Sequence, residues 1–159
     1  MERATFAAGC FWGVQAELDG VLGVVATRAG YTGGEVDGPS YEQVGTGRTG
    51  HAEAVELEFD PARVAYEELV ERFFALHDPT QRDGQGRDLG PQYRSAVFVH
   101  GPEQERVARQ VRDRVQAGAR REVVTEILPA GAFWPAEEHH QRYLEKRGLA
   151  ACGVPAEEF

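Results

Sequence analysis

Cys10 lies in the run Gly9-Cys10-Phe11-Trp12-Gly13, between two glycines and beside two aromatic residues. Arg3 to Ala8 before it reads as a short buried strand, and Val14 to Leu18 after it as the opening of a helix. The thiol therefore falls where a strand turns into a helix, a bend that glycines permit. The first N–H groups of a helix have no internal partner and carry partial positive charge, so they favour an anion. A thiol placed there is expected to ionise below its ordinary pKa of about 8.5, and the thiolate is the nucleophile. Phe11 and Trp12 would wall it with apolar surface. The same spacing also fits a buried, inert cysteine among core aromatics.

Glu53 is the second residue with chemical promise. Ala52 to Phe59 alternates cleanly, so Glu53, Val55, Leu57 and Phe59 share one strand face and Ala52, Ala54, Glu56 and Glu58 the other. The apolar face must be the core face, which aims Glu53 inward and leaves Glu56 and Glu58 facing water. An inward carboxyl loses hydration, which penalises its charged form and raises its pKa. Escape to solvent at the strand's edge is the alternative. The chain's other cysteine, Cys152, lies near the opposite end. In a reducing compartment two such thiols are more often a transient, catalytic pair than a staple, although spacing alone also allows two unrelated thiols.

The elements that must position these residues follow in order. Arg3 to Ala8 is a strand and Phe11 to Asp19 a helix closed by Gly20; Val21 to Tyr31 is a second strand. Thr32 to Gly50 is a long glycine-rich loop, of the kind that is usually functional, with one helical turn at Tyr41 to Val44. After the Ala52–Phe59 strand, Tyr66, Leu69, Val70, Phe73 and Leu76 recur at helical spacing through His77, and Asp78-Pro79 ends that helix. A second polar loop, Thr80 to Gln92, carries Asp88, and Tyr93 to His100 is a buried strand. Pro102 opens a helix with the stripe Val107, Val111 and Val115 and a solvated arginine face. Val123 to Leu128 is a last strand and Ala136 to Lys146 a last helix. The first six elements run β-α-β-β-α-β, the order of the split, ferredoxin-like unit, followed by helix, strand and helix. The expectation is an α+β two-layer sandwich on a mainly antiparallel sheet. It forms a single domain over 1–159, with a core of 1–147 and a mobile, irregular tail of 148–159 that carries Cys152.

Composition narrows the functional classes. A chain of 159 residues suffices for one domain burying about 70 % of its unfolded surface. The net charge of −9 argues against nucleic acid and anionic membranes. No apolar run approaches the roughly 20 residues of a membrane span, and the apolar stretch before Cys10 is too short for a signal peptide. A cytoplasmic protein is expected.

Read whole, Gly9-Cys10-Phe11-Trp12-Gly13 resembles the active-site signature of the A-type peptide methionine sulfoxide reductases. Gly30-Tyr31-Thr32-Gly33-Gly34, Tyr41 and Thr49-Gly50-His51-Ala52-Glu53-Ala54 resemble the same family. So do Asp88-Leu89-Gly90-Pro91-Gln92-Tyr93-Arg94-Ser95 and Ala136-Glu137-Glu138-His139-His140-Gln141. The blocks occur in order and span nearly the whole chain. The resemblance implies thiol-dependent reduction of methionine-(S)-sulfoxide, free or in proteins, with no cofactor. It implies that Cys10 attacks sulfur and becomes a sulfenic acid, and that Glu53 protonates the oxygen. Tyr41, Tyr93 and Asp88 would surround that oxygen, and Phe11 and Trp12 would hold the methyl group. Cys152 would then form a disulfide with Cys10, reduced by thioredoxin or, in vitro, by dithiothreitol. By itself, Asp88 in a glycine loop is an ordinary turn residue.

Two rivals belong to other classes. His51-Ala52-Glu53 matches half of the zinc deaminase signature, but the P-C-x-x-C half is missing, and Cys10, His51, His139 and His140 lack finger-like spacing. The other rival is a redox sensor in which a Cys10–Cys152 disulfide changes shape or partner without turnover.

Overall fold

The computed structural model describes residues 1–148. Cys152 and the rest of the expected tail from 149 onward lie outside the described residues. Strand β1 (Glu2–Ala8) leads into helix α1 (Phe11–Asp19), then β2 (Val24–Thr32), the short helix α2 (Tyr41–Gly45) and β3 (Ala52–Phe59). Helix α3 (Tyr66–Ala75) precedes a small ribbon of β4 (Gly84–Gln85) and β5 (Asp88–Leu89) and a 3-10 turn at Pro91–Tyr93. Next come β6 (Ser95–Val99), α4 (Pro102–Gly118), β7 (Glu126–Pro129) and β8 (Phe133–Pro135). A 3-10 turn at Glu138–His140 and α5 (Tyr143–Lys146) close the described chain.

Six strands form one sheet in the order β7-β6-β1-β3-β2-β8. Every pairing is antiparallel except β6 with β7. The architecture is therefore α+β on a mainly antiparallel sheet. Alternation along the strands sorts two cores. Ala4, Phe6 and Ala8 of β1 and Val55, Leu57 and Phe59 of β3 meet Val14 and Leu18 of α1, Leu69 and Phe73 of α3 and Val111 of α4. On the opposite face, Ala7, Ala52, Ala54, Ala96 and Phe98 form a smaller cluster.

Four expectations need correction. The second strand begins at Val24, not Val21, because Val21 to Gly23 turn: Val24 N–H donates to Val21 O, and Gly23 takes φ +98. Tyr93 stands in the turn before β6 rather than in the strand, since Pro91 starts a 3-10 turn. On α4, Gln104 and Ala108 join Val111 in being buried, while Val107 and Val115 are only partly covered.

The expected helix over Ala136–Lys146 is broken. Gln141 accepts from Ala29 N–H and donates to Ala29 O, both at 2.8 Å, and donates to Ala136 O at 2.9 Å. Arg142 N–H goes to Gln15 at 2.8 Å, and Arg142 is left-handed at φ 52. Side-chain amides have taken the bonds a helix ladder would need. Just before this segment, β8 lies along the end of β2, pairing Tyr31 with Trp134.

Candidate active site

Cys10 caps α1 at the end of β1, where the sequence puts it. Gly9 makes the bend at φ +95, and a Cβ there would lie 2.9 Å from the Gln85 Cβ, so this position demands glycine twice over. The N-terminus of α1 is divided between two acids. Phe11 N–H donates to Glu53 Oε1 at 3.1 Å, and the N–H groups of Trp12 and Gly13 turn to the Cys10 sulfur.

The expected low thiol pKa is not found. Burial, and then the neighbouring Glu53 carboxylate, push Cys10 up from 9.0 to about 12. The helix N–H groups pull the other way and lose, because desolvation of a thiolate outweighs two partial charges when an anion stands alongside. At neutral pH the free site holds a thiol.

Glu53 points inward and is 2 % exposed, at the start of β3 opposite Tyr31. Burial raises its carboxyl from 4.5 to about 7, opposed by the Phe11 N–H and assisted by Asp88. Glu56 departs from expectation: it is also buried, and its Oε1 takes the Arg28 guanidinium at 2.6 Å. Only Glu58 of that face is exposed.

Tyr41 and Tyr93 reach the same place from separate segments. Tyr41 opens α2, whose N-terminus is closed by a reciprocal Ser40–Gln43 capping box. The loop before it is clasped by His51, which accepts from Gly34 N–H at 3.0 Å and donates to Val36 O at 2.7 Å. Tyr93 ends its 3-10 turn, held by Arg94, which donates to Pro91 O and Gly50 O. Burial first, then the Glu53 charge, raises both tyrosines to about 12, so each keeps its hydroxyl proton. Asp88, on β5, is exposed, and its charge acts on Cys10, Glu53, Tyr41 and Tyr93 together.

The aromatic wall is larger than the sequence suggests. Phe11 is 1 % exposed, stacked on Tyr41 and tilted against Tyr31, so it backs the wall from inside. Trp12 is half-buried, stacks on Tyr143 with centroids 3.8 Å apart, and donates from its indole to His140 Nδ1 at 3.2 Å. His140 lies 4.3 Å from the Tyr41 ring. As a site residue, His140 enters the sequence reading only in the rejected zinc set, and Tyr143 does not enter it. Cys10, Trp12, Asp88 and Tyr143 line an open cleft of about 750 Å³, ample for a methionine side chain.

His77, also in the cleft wall, donates from one ring nitrogen to Phe73 O and engages Ser95 Oγ with the other, both at 2.7 Å. Burial holds it down to about 4, so it brings no positive charge near the thiol. His51 spends both ring nitrogens on backbone groups, and among the described residues no three His, Cys, Asp or Glu side chains converge to hold a metal ion.

The site thus brings a thiol and a buried acid to one helix terminus, beside tyrosine hydroxyls and an aromatic wall. The sequence profile of the peptide methionine sulfoxide reductase family matches residues 2–158. This chain belongs to that family. The Acidobacterium capsulatum protein named peptide methionine sulfoxide reductase MsrA is 54 % identical over 156 residues, covering 97 % of this chain and 100 % of that one. Mxr1 from Saccharomyces cerevisiae in reduced form superposes with a TM-score of 0.89 at 34 % identity, covering 96 % of this chain and 90 % of that one. The same yeast protein in complex with Trx2 superposes at 0.64 with 24 % identity over 89 % of this chain and 84 % of that one, a likeness of fold. Among the described residues no helix is long and apolar enough to cross a membrane.

Proposed function

We propose that this protein reduces methionine-(S)-sulfoxide, free or within proteins, to methionine. The observation that carries the reading is the pairing of Cys10 with Glu53. A carboxyl at about 7 is a usable acid at neutral pH, and it is bonded to the helix end that presents the thiol. The Cys10 sulfur attacks the polarised sulfoxide sulfur while Glu53 protonates the oxygen. The thiol proton then replaces the one Glu53 gave. The net change is a thiol and a sulfoxide becoming a sulfenic acid and a thioether, with methionine sulfur reduced by two electrons and Cys10 oxidised by two. Tyr41 and Tyr93 donate hydrogen bonds to the oxygen, Asp88 holds the site's charge balance toward the acid form of Glu53, and Trp12, backed by Phe11, packs on the methyl group.

Cys152 then attacks the sulfenic acid, forming a Cys10–Cys152 disulfide and releasing water. Thioredoxin reduces that disulfide; the Trx2 complex of the yeast relative is in keeping with such a partner. No cofactor takes part. The chain acts as a single cytoplasmic domain, since a pair of exchanging thiols suits a reducing compartment. Its central strands β6-β1-β3-β2, all antiparallel, support reading the core as the split βαββαβ unit.

The test supplies each epimer of a methionine sulfoxide peptide with dithiothreitol and counts methionine formed. The S epimer should turn over and the R epimer should not, because thiol, acid and wall fix all three substituents of sulfur; comparable turnover of the R epimer refutes the reading. Cys10→Ser should form no methionine. Cys152→Ser should form one per enzyme and stall with thioredoxin, and full thioredoxin-driven turnover there would remove the resolving role. A redox sensor without turnover would form no methionine from either epimer.

A further inference from the structure

We propose that Gln85 is the positioning residue for Asp88: it holds the ribbon that carries this carboxylate against the Cys10 turn. The inference rests on the reading of the cleft as a sulfoxide-reducing site. The ribbon pairs Gly84 with Leu89 and Gln85 with Asp88, so Gln85 stands directly across from the carboxylate. With two residues per strand, both β5 residues exposed and Leu89 exposed at 71 %, the ribbon has little core to hold it. Hairpins even of greater length are marginal in water, so other bonds must fix its place.

Those bonds come from side-chain amides. Gln85 Oε1 accepts from Asp78 N–H at 2.9 Å, and its Nε2 donates to Asp78 O at 2.6 Å. Both hydrogen-bonding ends of one amide thus bind a single backbone residue. Gln81 does the converse, gripping Gly86 in the ribbon's turn through both N–H and O, at 2.8 and 3.2 Å. The two clamps run in opposite directions between the segment after α3 and the ribbon. Gln85 makes a third contact, to the nucleophile's turn: its Cβ and Cγ lie over Gly9, where an added Cβ would meet them at 2.9 and 3.0 Å. Asp78 in turn follows His77, which is bonded to Phe73 O and Ser95. One side chain therefore joins the residue before the nucleophile, the fixed end of α3 and the strand of Asp88. A catalytic group displaced by about 1 Å can lose about 10² in rate, so this joint sets how well Asp88 serves the cleft.

The experiment is a double-mutant cycle on single-turnover reduction of a methionine-(S)-sulfoxide peptide. Gln85→Met keeps the stem over Gly9 and deletes both amide bonds. Gln85→Met and Asp88→Asn should each lower kcat/KM by about tenfold or more, and the double variant should be no more than about twofold worse than Asp88→Asn. Once the carboxylate is gone there is nothing left to position. Gln85→Glu keeps the acceptor for Asp78 N–H and should recover part of the loss; it replaces Gln85→Met in the cycle should that variant not fold. Effects that multiply in the double variant would overturn the positioning role, because a general weakening of structure is blind to Asp88. A wild-type rate left within about twofold in Gln85→Met would overturn it as well. If the wild-type protein itself forms no methionine, the sulfoxide reading fails and not merely the role of Gln85.

Discussion

Glu53 and Glu56 stand three residues apart on β3, at 2 % and 8 % exposure, and they have solved the same problem in opposite ways. Glu56 faces the side of the sheet where Arg28 reaches across from β2, pairing with it at 2.6 Å while the guanidinium also lies over the Phe133 ring. Glu53 faces the helices, where it receives one backbone N–H from Phe11 and shares its surroundings with a thiol, two tyrosines and the Asp88 charge. A buried charge that finds a partner stays a charge and adds to structure. A buried acid without a cation relaxes toward its neutral form, and that proton is what a departing oxygen needs. What separates a structural acid from a catalytic one here is the supply of compensating charge.

The comparison breaks most visibly in the rate of the chemical step. Glu53→Ala should slow single-turnover reduction by about two orders of magnitude or more, the usual worth of general acid help, and Glu56→Ala should slow it barely at all. Glu53→Gln should fall between wild type and alanine, because an amide donates a hydrogen bond but delivers no proton. If Glu53→Ala stays within a factor of about three, another group protonates the oxygen, with Asp88 or a tyrosine next in line.

A smaller effect tests the coupling between acid and nucleophile. The Glu53 carboxylate is the second cause, after burial, of the high Cys10 pKa. Glu53→Gln removes that charge, so the thiolate fraction at pH 8 should rise. Each unit of thiol pKa lost is worth about tenfold in thiolate, so alkylation of Cys10 by iodoacetamide should quicken several-fold. Glu56→Gln should leave it unchanged. Faster chemistry toward an alkylating agent alongside slower chemistry toward a sulfoxide would separate nucleophile strength from acid delivery in one variant. Equal alkylation rates in wild type and Glu53→Gln would remove the coupling.

How much of this was legible in the sequence follows from the range of the forces involved. The strand–glycine–cysteine–helix joint and the inward aim of Glu53 are local matters of turn chemistry and two-residue alternation, and both hold in the structure. The thiol pKa is not legible locally: a helix N-terminus is visible in sequence, while the burial that defeats it is tertiary and the opposing charges, Glu53 and Asp88, are distant in the chain. Alternation alone turns Glu56 toward solvent, because Arg28 belongs to another strand and becomes its neighbour only through register. The break in the last helix depends on Gln141 bonding to Ala29 across the fold, which no helical periodicity reveals.

Stability is the one measure in which the two glutamates should differ in sign. The folded Glu53 carboxyl titrates at about 7 against 4.5 when unfolded, so between those values the native state holds a proton that the unfolded chain has released. Stability must then fall as pH rises through that window, by up to about 1.4 kcal/mol per pH unit, and level off above it. Glu53→Gln keeps an acceptor for the Phe11 N–H and removes the burdened charge. At pH 8 it should stabilise the protein by on the order of 2–3 kcal/mol, and at pH 4, where the acid is neutral in both states, it should change little. Glu56→Gln should act in the opposite direction. It deletes an ion pair whose arginine side chain is 47 % exposed, so solvent screening limits the loss to about 1 kcal/mol. Urea melts of wild type and both variants at pH 4 and pH 8 decide the matter. A stabilisation by Glu53→Gln that is equal at the two pH values would mean that the gain comes from packing and not from relief of a buried charge.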